Sequence, residues 1–302
     1  MATCGNPNWQ DAQWAFYRYQ PSATAAAVFS VLFGITLVTH VAQIYITRTW
    51  YLLALVIGCT CECIGYISRI ISGQEDPGCW SLGPYIIQSC LILIGPTLMA
   101  ASIYMILGRI VELTDGESYV LIRRRWLTKV FVGGDVISLF FQSSGGGLMV
   151  IGGTTSTIGK YLIIIGLFVQ LAFFGAFVVL AGVFHHRMSK APTSQASLPQ
   201  VRWQHYLVTL YVTGVMIWVR SLFRVIEYLQ GNEGTLSRSE VYLYVFDAAL
   251  ILIAMLWMNW YHPSEIGVLL RGQEPKENGI ELLAGGFSGM KQRRRILDPD
   301  EK

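Results

Sequence analysis

Charge is scarce in this 302-residue chain: Asp, Glu, Lys and Arg together make up 14% of it. A soluble domain surface draws on roughly a quarter of charged residues, so two ordinary soluble domains are excluded. Ten-residue segments of alternating polarity are also missing, which excludes a transmembrane β-barrel. No Asn-x-Ser/Thr sequon occurs, so N-glycosylation is not expected. The five histidines contain no HxxxH pair, and Cys59, Cys61 and Cys63 alternate around a helix, so no metal site is expected. P-loop, dinucleotide and nucleophile-elbow patterns are absent, leaving no cofactor, no catalytic residue and no nucleic-acid partner to name. The first twenty residues lack the short apolar core of a secretory signal.

What is abundant is apolar and aromatic: 53% of the chain is hydrophobic and 13% is Phe, Trp or Tyr. Seven stretches, near 24–46, 50–71, 83–107, 127–150, 160–184, 205–228 and 239–261, have the ~20 residues that a helix needs to cross a bilayer. The expected fold is all-α, a polytopic bundle of seven transmembrane helices. An outer segment (1–23) precedes the membrane domain (24–262), and a disordered cytoplasmic tail (263–302) with a basic cluster at Lys291, Arg293, Arg294 and Arg295 follows it. With the N-terminus outside, Arg48, Arg109, Arg123, Arg124, Arg125, Arg187, Lys190 and Arg202 fall in cytoplasmic loops, against Arg18, Lys160 and Arg238 outside. That bias places the C-terminus in the cytoplasm. Trp50, Trp126, Trp203 and Trp260 then sit at cytoplasmic helix ends as an interfacial belt. The segment 185–204 reads as a flexible linker.

Ionised and amide residues recur seven apart inside four of the spans. Glu62 and Arg69 form one set. Asp135 and Gln142, with Ser138 between, form a second. Arg220 and Glu227, with Arg224 between, form a third, and Glu240 and Asp247 a fourth. Seven residues is nearly two helical turns, so each set lies on one stripe. A bare charge at the bilayer centre costs at least ~2.5–3.5 kcal/mol, and such residues usually mark a ligand or ion path. The expectation is one shared polar interior lined by helices 2, 4, 6 and 7, with helices 1, 3 and 5 facing lipid or supporting the packing. The competing reading is ion pairs that only fix helix packing.

Gly145, Gly146 and Gly147 in the fourth span call either for close approach of a neighbouring helix or for local unwinding. Pro96 in the third is a candidate kink. His40 reads as a helix-contact residue and His262 as a terminator before Pro263. Cys4 and Cys79 both fall on the oxidising outer side and are a candidate disulfide. The other four cysteines lie within spans as packing residues.

Taken together, Glu62-Cys-Ile-Gly65-Tyr66-Ile-Ser-Arg69, the run from Lys129 through Asp135 and Ser138 to Gly147, Arg220-Ser221-Leu-Phe-Arg224-Val-Ile-Glu227 and His262-Pro263 resemble the fungal lipid-translocating exporters. These are seven-helix proteins named for resistance to aminocholesterol. The resemblance covers roughly residues 15–265. It implies an integral membrane protein, of the plasma membrane or an internal membrane, that binds and exports an amphiphile: a sphingoid base, a phospholipid, a toxic lipid-like compound or a porphyrin. An ammonium head would suit Glu62, Asp135 or Asp247; an anionic head would suit Arg69, Arg220 and Arg224. With no ATP-binding motif, active transport would need an ion gradient. The rival functions are a seven-helix receptor for a lipid-like ligand and an intramembrane hydrolase using Asp135 with Glu62. A receptor-type acidic-Arg-Tyr run is missing, since Arg109 is followed by Ile110 and Val111.

Overall fold

The computed structural model describes residues 9, 16–151, 154–199, 201–231, 234, 236–272 and 279. They fold almost entirely as helix. α1 (Ala23–Thr47) starts where Ser22 Oγ accepts the Ala25 N–H and stops where Arg48 turns left-handed at φ 53°. A 3₁₀ turn, Trp50–Leu52, leads into α2 (Leu53–Gln74). α3 (Leu82–Leu113), α4 (Arg124–Ile151), α5 (Thr154–Lys190) and α6 (Trp203–Gln230) follow. The seventh rod has three parts: α7 (Glu240–Leu243), a π-helical stretch (Tyr244–Ala249) and α8 (Leu250–Trp260). A short helix, α9 (Ser264–Leu269), closes the described chain.

Six of these rods are long and apolar enough to span a bilayer. α4 has the length, but Asp135, Gln142, three serines and five glycines dilute it. The pattern of burial is that of a membrane protein. α1 buries Ser30, Thr36, His40, Gln43 and Thr47 while exposing Val31, Ile35, Val38 and Val41. An aqueous helix would do the reverse. This is an integral membrane protein, and its exposed aliphatic belt is where acyl chains lie.

Consecutive rods pack as antiparallel neighbours, and α8 returns to α1 to close the ring. α3 also touches α6 across it and buries most of its length, including Met99, Ile103, Tyr104 and Leu107. α3 is therefore the central post of the bundle and faces lipid little. Small residues bring α2 onto it: a Cβ at Gly58 would stand 2.7 Å from the Gly95 carbonyl oxygen, and one at Gly65 2.8 Å from Ile92.

The two ends of the bundle are built differently. At one, Tyr17 donates to Gln88 Oε1 at 2.9 Å, and Trp80 and Tyr85 pack edge-on against its ring, folding residues 16–22 over the mouth. At the other, about 37 Å away along α1, α9 docks against α1 and α3. There Tyr51 donates to the Pro263 carbonyl at 2.7 Å and Tyr206 to Glu265 at 3.1 Å. The segment expected to be a loose linker is shorter than anticipated, because α5 runs on to Lys190. It is also anchored: Thr193 Oγ1 donates to the Thr114 carbonyl, and Ala196 is buried. Of the C-terminal tail, residues 273–278 and 280–302, with the basic cluster, lie outside the described residues.

Candidate functional site

The stripes pair across helices rather than along them. Arg69, fully buried on α2, sends Nη2 to Glu240 Oε1 of α7 at 2.6 Å and to Tyr19 Oη at 2.9 Å, and Nε to Tyr244 Oη at 3.1 Å. The rings of Tyr17, Tyr19 and Tyr244 stand 5.4–5.8 Å from its guanidinium carbon, a cation–π cradle for a charge removed from water. Both oxygens of Glu240 also accept the Ser22 N–H at 3.0 Å. One carboxylate thus ties α2, the seventh rod and the start of α1 together at the capped end.

Deeper in, Asp247 is gripped from two sides. Its Oδ1 accepts from Arg220 Nε and its Oδ2 from Arg224 Nη2, while Arg224 Nη1 donates to Glu227 at 2.9 Å. The bidentate arrangement gives the Asp247 carboxylate two charge-assisted partners in a region from which solvent is excluded. Asp247 lies in the π-helical stretch. The wider turn shifts the register between Tyr244 and Ala249, so that Tyr244 meets Arg69 while Asp247 meets the arginine pair.

α3 completes this network with its backbone. Pro96 has no N–H to offer the Ile92 carbonyl one turn earlier, and Arg220 Nη2 takes that oxygen at 2.7 Å. Gly95, beside it, leaves room for Glu62: a Cβ there would lie 2.7 Å from Glu62 Oε1. Glu62 is 1% exposed, and that oxygen has no hydrogen-bond partner. Arg220, Arg224 and Asp247 are the charges that act on it.

The remaining set lies elsewhere. Asp135, Ser138 and Gln142 of α4 face α3 and α5. Gln142 Nε2 donates to Ser138 Oγ at 2.6 Å and to Gln170 Oε1 at 3.2 Å, Ser138 donates to the Gly166 carbonyl at 2.7 Å, and Gln170 reaches Thr97 at 3.1 Å. The structure therefore brings Glu62, Arg69, Arg220, Arg224, Glu227, Glu240 and Asp247 together between α2, α3, α6 and the seventh rod, and holds Asp135, Ser138 and Gln142 in a second compartment. α4 stays helical through its glycines. Gly145 packs on α5, where a Cβ would stand 2.5 Å from the Gly159 carbonyl, whereas Gly146 and Gly147 meet open space.

Several participants gave no signal by spacing: Tyr17, Tyr19, Tyr244, Gly95 and the Ile92 carbonyl. Of these, the free carbonyl was legible in principle from Pro96, four residues on. Cys79 is disulfide-bonded; Cys4, its expected partner, lies outside the described residues. Cys59, Cys61, Cys63 and Cys90 are free thiols.

The architecture defines a class: an integral membrane helix bundle with ionised residues from several helices joined in its interior. Within that class the chain belongs to the family described as RTA1 like protein, which it matches over residues 55–269. It is 34% identical to Protein RTA1 of Saccharomyces cerevisiae over 80% of this chain and 82% of that one. It is equally 34% identical to Protoporphyrin uptake protein 1 of the same yeast, over 82% and 91%. The identity to its Sphingoid long-chain base transporter RSB1 is 26% over 78% and 69%. No solved structure matches the chain.

Proposed function

We propose that this protein binds an amphiphile and moves it across the membrane, its head group following the buried ionised residues while its tail stays against the apolar belt. The seven rods act as seven spans, with the N-terminus outside and the C-terminus in the cytoplasm, most simply in the plasma membrane. The observation that carries the reading is the Arg220–Asp247–Arg224 cluster with Glu62 beside it. Desolvating four ionisable groups for packing alone is a poor exchange, since an apolar core of the same volume is commonly as stable or more so. Relatives named for sphingoid-base transport and protoporphyrin uptake support a translocation role over the receptor and hydrolase alternatives.

In this reading the structure is a closed state. Arg220, Arg224 and Asp247 satisfy one another, and the Arg69–Glu240 contact holds the N-terminal residues over the mouth. Opening separates these pairs, and a charged head group takes the place of the partner that leaves. The protein would be reconstituted in vesicles carrying a fluorescent long-chain base and a phospholipid analogue, and the leaflet of each probe followed by quencher access. Transfer faster than in empty vesicles, slowed by Arg220→Ala and Glu62→Ala but not by Lys190→Ala, is expected. Equal transfer by all four proteins, or none above the empty vesicles, would remove the proposal.

A further inference from the structure

The acidic side chains of the interior are not equivalent. Asp247 has both oxygens on arginines, Glu240 holds Arg69, Glu227 holds Arg224, and Glu62 sits within the field of Arg220 and Arg224. Asp135 alone among these is buried without a cation. It is 2% exposed, and neither carboxylate oxygen has a hydrogen-bond partner. None of the ion pairs among the described residues includes it. The group that bears on it is the hydroxyl of Tyr104, on α3, itself fully buried and unpartnered.

The surroundings are aromatic. Phe131 shares the Asp135 face of α4, one turn earlier. The Tyr104 ring lies 5.4 Å from Phe131, 4.6 Å from Phe177 and 6.0 Å from Phe174, and all three phenylalanines are buried. A carboxylate and a phenol beside clustered π faces are the elements of an organic-cation site: the carboxylate supplies the charge, the phenol a hydrogen-bond acceptor, and the rings a cation–π surface. A phosphate or carboxylate head would meet only repulsion here.

We infer that Asp135 and Tyr104, with Phe131, Phe174 and Phe177, form a binding site for the ammonium head of an aliphatic amine, in the α3–α4–α5 compartment and separate from the arginine cluster. The inference rests on the amphiphile reading and narrows it to cationic head groups at this site. The alternative is a permanently protonated Asp135 with no ligand.

The test is binding of octadecylamine, against its neutral N-acetyl amide and against octadecyl phosphate, to the full chain in lipid nanodiscs. The expected result is preference for the amine, about tenfold weaker amine binding in Asp135→Asn with amide binding unchanged, recovery in Asp135→Glu, and a smaller loss in Tyr104→Phe. Unchanged amine affinity in Asp135→Asn overturns the inference. Should that variant fail to fold, wild-type protein that does not distinguish amine from amide, or Tyr104→Phe that binds the amine as wild type does, overturns it equally. Binding of the phosphate or amide but not the amine defeats the inference and leaves the amphiphile reading standing. Binding of none of the three defeats both.

Discussion

Arg220 donates to the carbonyl oxygen of Ile92 at 2.7 Å, and that oxygen is free because Pro96 stands four residues further along α3. A local defect in one helix thus becomes a fixed attachment point for an ion from another, and the same guanidinium holds Asp247 with its Nε.

Removing the arginine should be costly. Arg220→Leu leaves Asp247 with Arg224 alone and leaves the Ile92 carbonyl unmet. A loss of ~3–5 kcal/mol is expected, since one partner of a buried pair is removed. Pro96→Ala supplies an N–H to the same carbonyl and should cost less, with the effect of Arg220→Leu reduced in the Pro96→Ala background by about 1 kcal/mol. Thermal denaturation of the four proteins in one detergent checks the coupling.

Glu240 closes the capped end by holding both Arg69 and the Ser22 N–H. Glu240→Ala should free the first turn of α1 and residues 16–22. Amide exchange at Ser22 should then rise by at least tenfold, in keeping with ~1.5–3 kcal/mol for a hydrogen bond to a charged group. Hydrogen–deuterium exchange of peptides spanning residues 16–30 reads this directly.

The glycines divide by what surrounds them. Gly58→Ala and Gly145→Ala drive a methyl group to 2.7 and 2.5 Å from a carbonyl oxygen of the facing helix. Each should lower stability by ~1–3 kcal/mol. Gly146→Ala and Gly147→Ala meet open space and should raise it by up to ~1 kcal/mol through helix propensity. Melting temperatures of the four single variants test the division.

Burial raises the Tyr17 phenol to about 12 from an ordinary 10. The folded state therefore keeps a proton that the released segment gives up. Its contribution is complete below pH 10 and is lost as the pH climbs from 10 to 12. Residues 16–22 should detach over that window, seen as increased protease cleavage there, and Tyr17→Phe should remove this part of the alkaline sensitivity.

The helices were readable from the chain because length and hydropathy suffice when the solvent is a bilayer: α1 follows the 24–46 stretch to within a residue at each end. The polar stripes were readable because intramembrane charge is rare. Their pairing was not. Glu62 and Arg69 share a stripe on α2 yet turn to different partners, Arg69 to Glu240 and Glu62 toward Gly95. Helical periodicity states which residues share a face and is silent on which face lies opposite.

The amino-acid sequence by itself determined a membrane-spanning helical bundle with ionisable groups turned inward, since scarce charge and long apolar runs allow little else in lipid. Tertiary structure decided that those groups fall into two compartments. The π-helical turn at Tyr244–Ala249 and the free Ile92 carbonyl gather the arginines around Asp247, while α3, the central post, keeps Asp135 apart with Tyr104. That division depends on how the helices are rotated against one another, a property of packing that no single helix encodes.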